Sequence, residues 1–218
     1  MLPAASDTAS AQSLINGGVV SGNISLPGEV DSYTFSANAG EGFQIRLVDV
    51  NATALLPVLS LFDPSGTFVT SGAGFDVGAI VGVAGMTGTY SLVVADGNSA
   101  PTGSGAYDIH YVRLPGANEG GPLLDGITKL DSITQGDLDS FTLAGETGDA
   151  AVVTVTDLTA GSLLPAVSLY GPTGPSLLRL LVLRQPLFPA RLAVTEFTPW
   201  SCGMAIPPPR EPAPIPSS

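Results

Sequence analysis

Positive charge is scarce in this chain, with seven Lys and Arg against 19 Asp and Glu and a net charge of -12. Through Gly174 the imbalance is steeper: 17 acidic residues face three basic ones, Arg46, Arg113 and Lys129. Nucleic acid and anionic membrane both need clustered Lys and Arg, so neither is expected as a partner. Cysteine is limited to Cys202, which leaves no disulfide and, through Gly174, no thiol chemistry. His110 is the sole histidine, so a His-based metal site or catalytic triad lacks its other members. No apolar run approaches the length that spans a bilayer. Met1-Leu2-Pro3-Ala4 has no basic n-region and no long apolar run follows it, so no signal peptide is read here. If the protein is exported, the expectation is that its leader lies upstream and that this chain is a piece of a longer product. No amphipathic helix is found before Gly174.

What is present is strand and turn. Apolar and polar residues alternate in Ser32-Tyr33-Thr34-Phe35-Ser36, in Gln44-Ile45-Arg46-Leu47-Val48 and in Thr89-Tyr90-Ser91-Leu92-Val93-Val94. Each segment reads as a half-buried strand. Turn chemistry separates them at Pro27-Gly28, Asn38-Ala39-Gly40, Asp63-Pro64-Ser65-Gly66 and Asp96-Gly97-Asn98. Asp63-Pro64-Ser65-Gly66 fits a type I turn, with Asp first, Pro second and Gly fourth. Short strands with frequent turns predict an all-β, antiparallel β-sandwich of jelly-roll-like type.

The sandwich is written more than once. Residues 28–66 align without a gap to residues 136–174 at a constant offset of 108, and 14 of those 39 pairs are identical. Among the identities are Asp31/Asp139 and Leu55-Leu56-Pro57/Leu163-Leu164-Pro165, and Tyr33/Phe141 and Phe62/Tyr170 are conservative. A unit of that length suits a sandwich domain, whereas solenoid repeats run to roughly 20–50 residues. From Thr67/Pro175 onward the same offset gives two identities in 44 pairs. The chain therefore reads as a tandem repeat with an incomplete second copy. Its expected organisation is an N-terminal segment at 1–15, a complete sandwich at 16–114, a linker at 115–124, a truncated second repeat at 125–174 and a tail at 175–218.

The tail has a different composition. After Gly174 one glycine of 27 remains, while ten of 19 prolines and the sole Trp and Cys fall there. A proline-rich disordered tail is one reading. Translation out of frame is the other. Codons that straddle the tail's residue pairs can encode the first repeat's own residue at 18 of the 22 positions matching Gly88 to Ile109. The tail is thus expected to be out of frame or disordered, and Cys202 carries no catalytic weight.

Three motifs in order, Glu29-Val30-Asp31-Ser32-Tyr33-Thr34-Phe35, Leu59-Ser60-Leu61-Phe62-Asp63-Pro64-Ser65-Gly66 and Gly88-Thr89-Tyr90-Ser91-Leu92-Val93-Val94, resemble the bacterial pre-peptidase C-terminal domain. The second copy repeats the first two as Asp137-Leu138-Asp139-Ser140-Phe141 and Val167-Ser168-Leu169-Tyr170-Gly171-Pro172-Thr173-Gly174, with Gly171 where the family has Asp. The resemblance implies a non-catalytic sandwich attached to secreted or cell-surface hydrolases, often peptidases. It implies no catalytic residues, and none are carried over.

Candidate chemistry is accordingly thin: no catalytic, cofactor-binding or metal residue is assigned. His110 is expected to be structural or solvent-facing, on the side of a last strand opposite Ile109 and Tyr111. Glu29/Asp31 and Asp137/Asp139 are expected at solvated strand entries or turns, with a calcium site as the alternative, because hard cations need several converging oxygens. Gly72-Ala73-Gly74-Phe75-Asp76 has a faint likeness to a calcium-binding nonapeptide in a single copy. Tyr33, Phe35, Phe62, Phe68, Tyr90, Tyr107 and Tyr111 are expected chiefly in the core, with a ligand-stacking face as the alternative. Calcium is the one cofactor left open. The expected partners are attached or neighbouring domains of a larger secreted or cell-surface protein and an extracellular protein or polysaccharide. Calcium-stabilised adhesive arrays and a fragment of a secreted peptidase are the competing functional readings.

Overall fold

The computed structural model describes residues 11–51, 54–114, 116, 121–146, 149–158, 166–171, 176–181 and 190–194. Nine strands build the first repeat: β1 Gln12–Ser13, β2 Gly18–Ile24, β3 Val30–Ala37, β4 Gly42–Asp49, β5 Pro57–Phe62, β6 Phe68–Ala73, β7 Val77–Val83, β8 Gly88–Asp96 and β9 Gly105–Leu114. They form a five-stranded sheet in the order β1-β3-β8-β5-β6 and a four-stranded sheet in the order β2-β9-β4-β7. Apart from the two-residue parallel pairing of β1 with β3, every ladder of these sheets is antiparallel.

The pairings share one logic. β5 pairs with β6, β4 with β7, β3 with β8 and β2 with β9, so the chain is a single long hairpin wound over itself. The ladders β4–β9 and β5–β8 then zip the wound hairpin into two sheets. This is the eight-stranded jelly roll, here with β1 added at one edge. The hairpin reverses at the Asp63–Gly66 turn. There Asp63 Oδ1 accepts from the Ser65 and Thr67 amides at 2.8 and 3.0 Å, and Gly66 takes the left-handed conformation at φ 83°. These bonds hold the exposed Asp63 carboxyl below the usual carboxylate range, the Ser65 side chain contributing most.

Alternation places one row of each strand between the sheets. Phe35, Phe43, Tyr90 and Tyr111 form an aromatic cluster there, with Phe35 stacked on Tyr90 at 5.3 Å, and Leu59, Leu61, Leu92 and Ile109 are fully buried beside it. Burying each such side chain contributes roughly 1.5–3 kcal/mol. The expectation of core aromatics holds for Tyr33, Phe35, Tyr90, Tyr107 and Tyr111. Phe68 is 55% exposed, on an edge strand where it meets Phe62 edge-on at 5.8 Å. Leu14 belongs to the core as well, so the packed unit begins upstream of Asn16.

The second repeat is drawn in short strands: β10 Pro122–Leu123, β11 Thr142–Leu143, β12 Ala151–Val155 and β13 Ala166–Tyr170, with β14 Ser176–Leu181 and β15 Ala190–Val194 beyond Gly174. β13 pairs with β14 in the register of β5 with β6 at the same offset of 108, bulge included. β12 pairs with β15, as β4 pairs with β7, in a different register. β11 has two residues where its counterpart β3 has eight, and it lies against β10. Two segments of the expected tail are thus paired strands. The rest of the tail, with Trp200, Cys202 and the prolines after Ile206, lies outside the described residues, as does half of the linker.

The wound hairpin pairs every strand from β2 to β9 within the first repeat. Leu92→Ala, at a fully buried position of β8, is expected to cost about 2–5 kcal/mol in urea unfolding. Val152→Ala, on a residue 62% exposed in β12, is expected to change it by less than about 0.5 kcal/mol.

Candidate functional site

Two polar clusters stand apart from the apolar packing, and both involve residues singled out in the sequence. The first lies between the sheets. Asp31 shares the inward row of β3 with Tyr33 and Phe35, and Tyr107 enters from β9 on the opposite sheet. The Tyr107 hydroxyl donates to Asp31 Oδ2, and the hydroxyls of Tyr33 and Tyr107 are 2.7 Å apart. A directed chain follows, in which Tyr33 donates to Tyr107 and Tyr107 to the carboxylate. Gly22, opposite Tyr107 in β2, makes room: a Cβ there would run into both hydroxyl groups. Burial raises the Tyr107 hydroxyl far above the ordinary phenol value, and burial likewise raises Tyr33. Both phenols therefore stay protonated and act as hydrogen-bond links. Asp31 is not the solvated strand entry expected from its spacing to Glu29. Glu29 turns away to close its own turn, accepting from the Ser25 and Leu26 amides at 2.6 and 2.9 Å.

The second cluster is outside the sandwich, on the outward row of the four-stranded sheet. Arg46 and His110 are cross-strand neighbours there, beside Val48 and Val112. His110, Val48 and Val112 are 3%, 0% and 3% exposed although they point away from the core. The cover is a turn of the second repeat. Gly136, at φ 83°, lies so close that a Cβ would overlap Val48 and come within 3.2 Å of His110 Nε2. Arg46 donates to the Asp137 carbonyl at 3.2 Å, and Asp137 Oδ1 is 3.6 Å from His110 Nδ1. Ser140 Oγ donates to the Gly116 carbonyl at 2.6 Å, and Tyr170 donates to Gln44 Oε1 at 3.2 Å. His110 is therefore neither solvent-facing nor in the core: it is the floor of a contact between repeats. Neither imidazole nitrogen has a hydrogen-bond partner. Burial lowers its pKa from the ordinary value near 6.5, with Asp137 and Asp108 pulling upward and Arg46 downward.

Two further carboxylates, Asp96 and Glu41, are also bonded. Asp96 accepts from the Leu56 amide at 3.1 Å, the Gly103 amide at 2.7 Å and the Asn98 side chain at 2.7 Å, tying two loops at one end of the sandwich. Burial alone would raise its pKa, but these donors together hold it below the usual carboxylate range. Glu41 pairs with Arg113, whose Nε donates to it at 2.5 Å. Gly72 and Gly74 serve close packing, since a Cβ on either would strike the Ala79 or Val77 carbonyl of β7. Among the described residues no three His, Cys, Asp or Glu side chains are grouped as a metal site. A shallow polar cavity of about 250 Å³ opens between Ser36, Asn38, Thr87, Thr89 and Arg113, where Arg113 is the one charged group.

No family model matches this sequence. No curated protein matches it either. Solved structures do. One is the pre-peptidase C-terminal domain of collagenase from Bacillus anthracis, 19% identical, covering 46% of this chain and 93% of that domain at a TM-score of 0.38. The chain resembles a pre-peptidase C-terminal domain. Another is PliG of Aeromonas hydrophila, a periplasmic inhibitor of g-type lysozyme, 12% identical, covering 47% of this chain and 95% of the inhibitor at a TM-score of 0.40.

Two outcomes follow from the clusters. Tyr107→Phe takes the donor from Asp31 and is expected to cost about 1–3 kcal/mol in chemical unfolding, whereas Tyr33→Phe, the change already present as Phe141 in the second repeat, is expected to cost about 1 kcal/mol or less. For His110 the sign is fixed by the lowered folded pKa. Well above pH 6.5 both states are neutral there, and as pH falls toward and below that value the unfolded chain binds the proton first, so stability falls. The urea midpoint should therefore drop between pH 7.5 and 5, and His110→Gln should flatten that drop.

Proposed function

We propose that this chain is a non-catalytic β-sandwich module that serves attached domains of a larger secreted or cell-surface protein, by targeting, adhesion or assistance in export and folding. One observation carries the reading: four of the described side chains suited to acid–base work are spent on structure. Asp31 is held by Tyr107, Asp96 by backbone and Asn98 donors, Glu41 by Arg113, and His110 lies beneath Gly136 and Asp137. A general base needs access to a substrate proton, and a base buried under a structural turn has none. The order of motifs shared with pre-peptidase C-terminal domains supports the same reading. Among the described residues no helix is long and apolar enough to cross a membrane.

The contact between the repeats favours a second reading, an adhesive array in which successive sandwiches stack. Calcium stabilisation is the separable part of it. Thermal unfolding in calcium and in chelator is expected to give the same midpoint, and a clear calcium-dependent rise would establish the calcium-bound array instead. Incubation with casein and gelatin is expected to leave both intact; turnover by the purified chain would overturn the non-catalytic reading.

A further inference from the structure

We propose that the uncharged outer face of the first repeat's five-stranded sheet, with the Leu26–Glu29 turn at its margin, is a stacking surface for the four-stranded sheet of another repeat of this kind. The second repeat shows how the equivalent turn is used. Its turn runs from Thr134 to Asp137, closed by Asp137 N donating to the Thr134 carbonyl at 3.2 Å and by the Asp137 carboxylate accepting from the Thr134 amide at 3.3 Å. The first repeat builds the same turn 108 residues earlier: Glu29 N donates to the Leu26 carbonyl at 3.1 Å, and the Glu29 carboxylate accepts from the Leu26 amide at 2.9 Å. Gly136 and Gly28 hold the same left-handed conformation, at φ 83° and 81°. The surroundings differ. Gly136 presses on Val48 and His110, while nothing lies within 4 Å of a Cβ on Gly28, and Leu26 and Val30 beside it are 66% and 58% exposed.

The equivalence includes two positions beyond the turn. Ser140 and Tyr170, which bond the Gly116 carbonyl and Gln44, correspond to Ser32 and Phe62 on the outward row of the first repeat. That row contains Ser32 and Thr34 of β3, Ser91 and Val93 of β8 and Ser60 and Phe62 of β5. No outward position of these three strands bears a charge, in a chain with a net charge of -12. An uncharged face of small side chains and one aromatic can be desolvated at low cost against valines. The receiving face has those valines, together with the single cation Arg46, which bonds the carbonyl of the incoming turn. The first repeat thus has both halves of a head-to-tail contact. Its receiving half is filled by its own second repeat, and its donating half is open. The proposal holds whether or not the array binds calcium.

The test frees the receiving half in the full chain. Gly136→Val forces a β-branched side chain into a left-handed backbone against Val48 and His110, and should expel the turn. Because His110 is the only histidine, its carbethoxylation read by mass spectrometry reports the opening. The variant is expected to expose His110 and to self-associate, its weight-average mass in sedimentation rising toward about twice the monomer at about 1 mM, where even a weak contact is populated. Wild type should remain monomeric. Adding Ser32→Asp, which puts a charge on the donating face at an exposed position, should abolish the association. A Gly136→Val chain with His110 exposed that stays monomeric, or association untouched by Ser32→Asp, overturns the proposal. So does a His110 that remains protected in Gly136→Val, since the turn would then not depend on the close approach at Gly136.

Discussion

Backbone pairing between the two arms of one long hairpin is the constraint on which the rest of this structure depends. Each strand from β2 to β5 finds its partner among β6 to β9, in reverse order, so no part of the outgoing arm is satisfied until the returning arm is present. Buried amides and carbonyls without partners cost too much for half of such a fold to persist unchanged. In the second repeat, whose sequence match to the first ends at Gly174, the described strands pair only two by two, β10 with β11, β12 with β15 and β13 with β14. Sequential strands that pair at long range also make this a fold of high contact order, which sets a slow folding rate.

Once the sheets face each other, the inward polar groups must be satisfied between them. Tyr107 does this by crossing from β9 to Asp31 on β3 and receiving Tyr33, so one hydroxyl joins the two sheets. Gly22 is the matching vacancy in the neighbouring strand. On the outer side a different solution appears. Arg46 and His110 would stand in water if the sandwich were alone, and the turn around Gly136 takes their hydration away. Arg46 is compensated by the Asp137 carbonyl. His110 is accommodated by remaining neutral, which is why its pKa falls with burial. The same physical rule, that a buried polar group needs a partner or must lose its charge, thus shapes both the core and the contact between repeats.

Much of the fold was legible because strand alternation is local. Ser32 to Ser36, Gln44 to Val48 and Thr89 to Val94 lie in strands β3, β4 and β8, and Tyr33, Phe35 and Tyr90 fall on their inward rows. The Asp63–Gly66 turn was legible from its residues for the same reason. Asp31 was misread although the signal existed: it has the parity of Tyr33 and Phe35, and pairing it with Glu29 obscured that. The burial of His110 had no local signal, because alternation correctly turned it away from Ile109 and Tyr111 and only a segment 26 residues downstream covers it. The pairing of Gln12–Ser13 with β3 was equally hidden, since two polar residues have no readable period.

The central claim is that the first repeat is one cooperative unit and that the second leans on it. Native-state hydrogen exchange resolved by strand tests this most directly. The account predicts that amides of β3, β4, β8 and β9 exchange together, at the rate of global unfolding, while those of β12 and β13 exchange through a separate, lower-energy opening. Equal protection of β12 and β8 would contradict it, because the second repeat would then be held as firmly as the first.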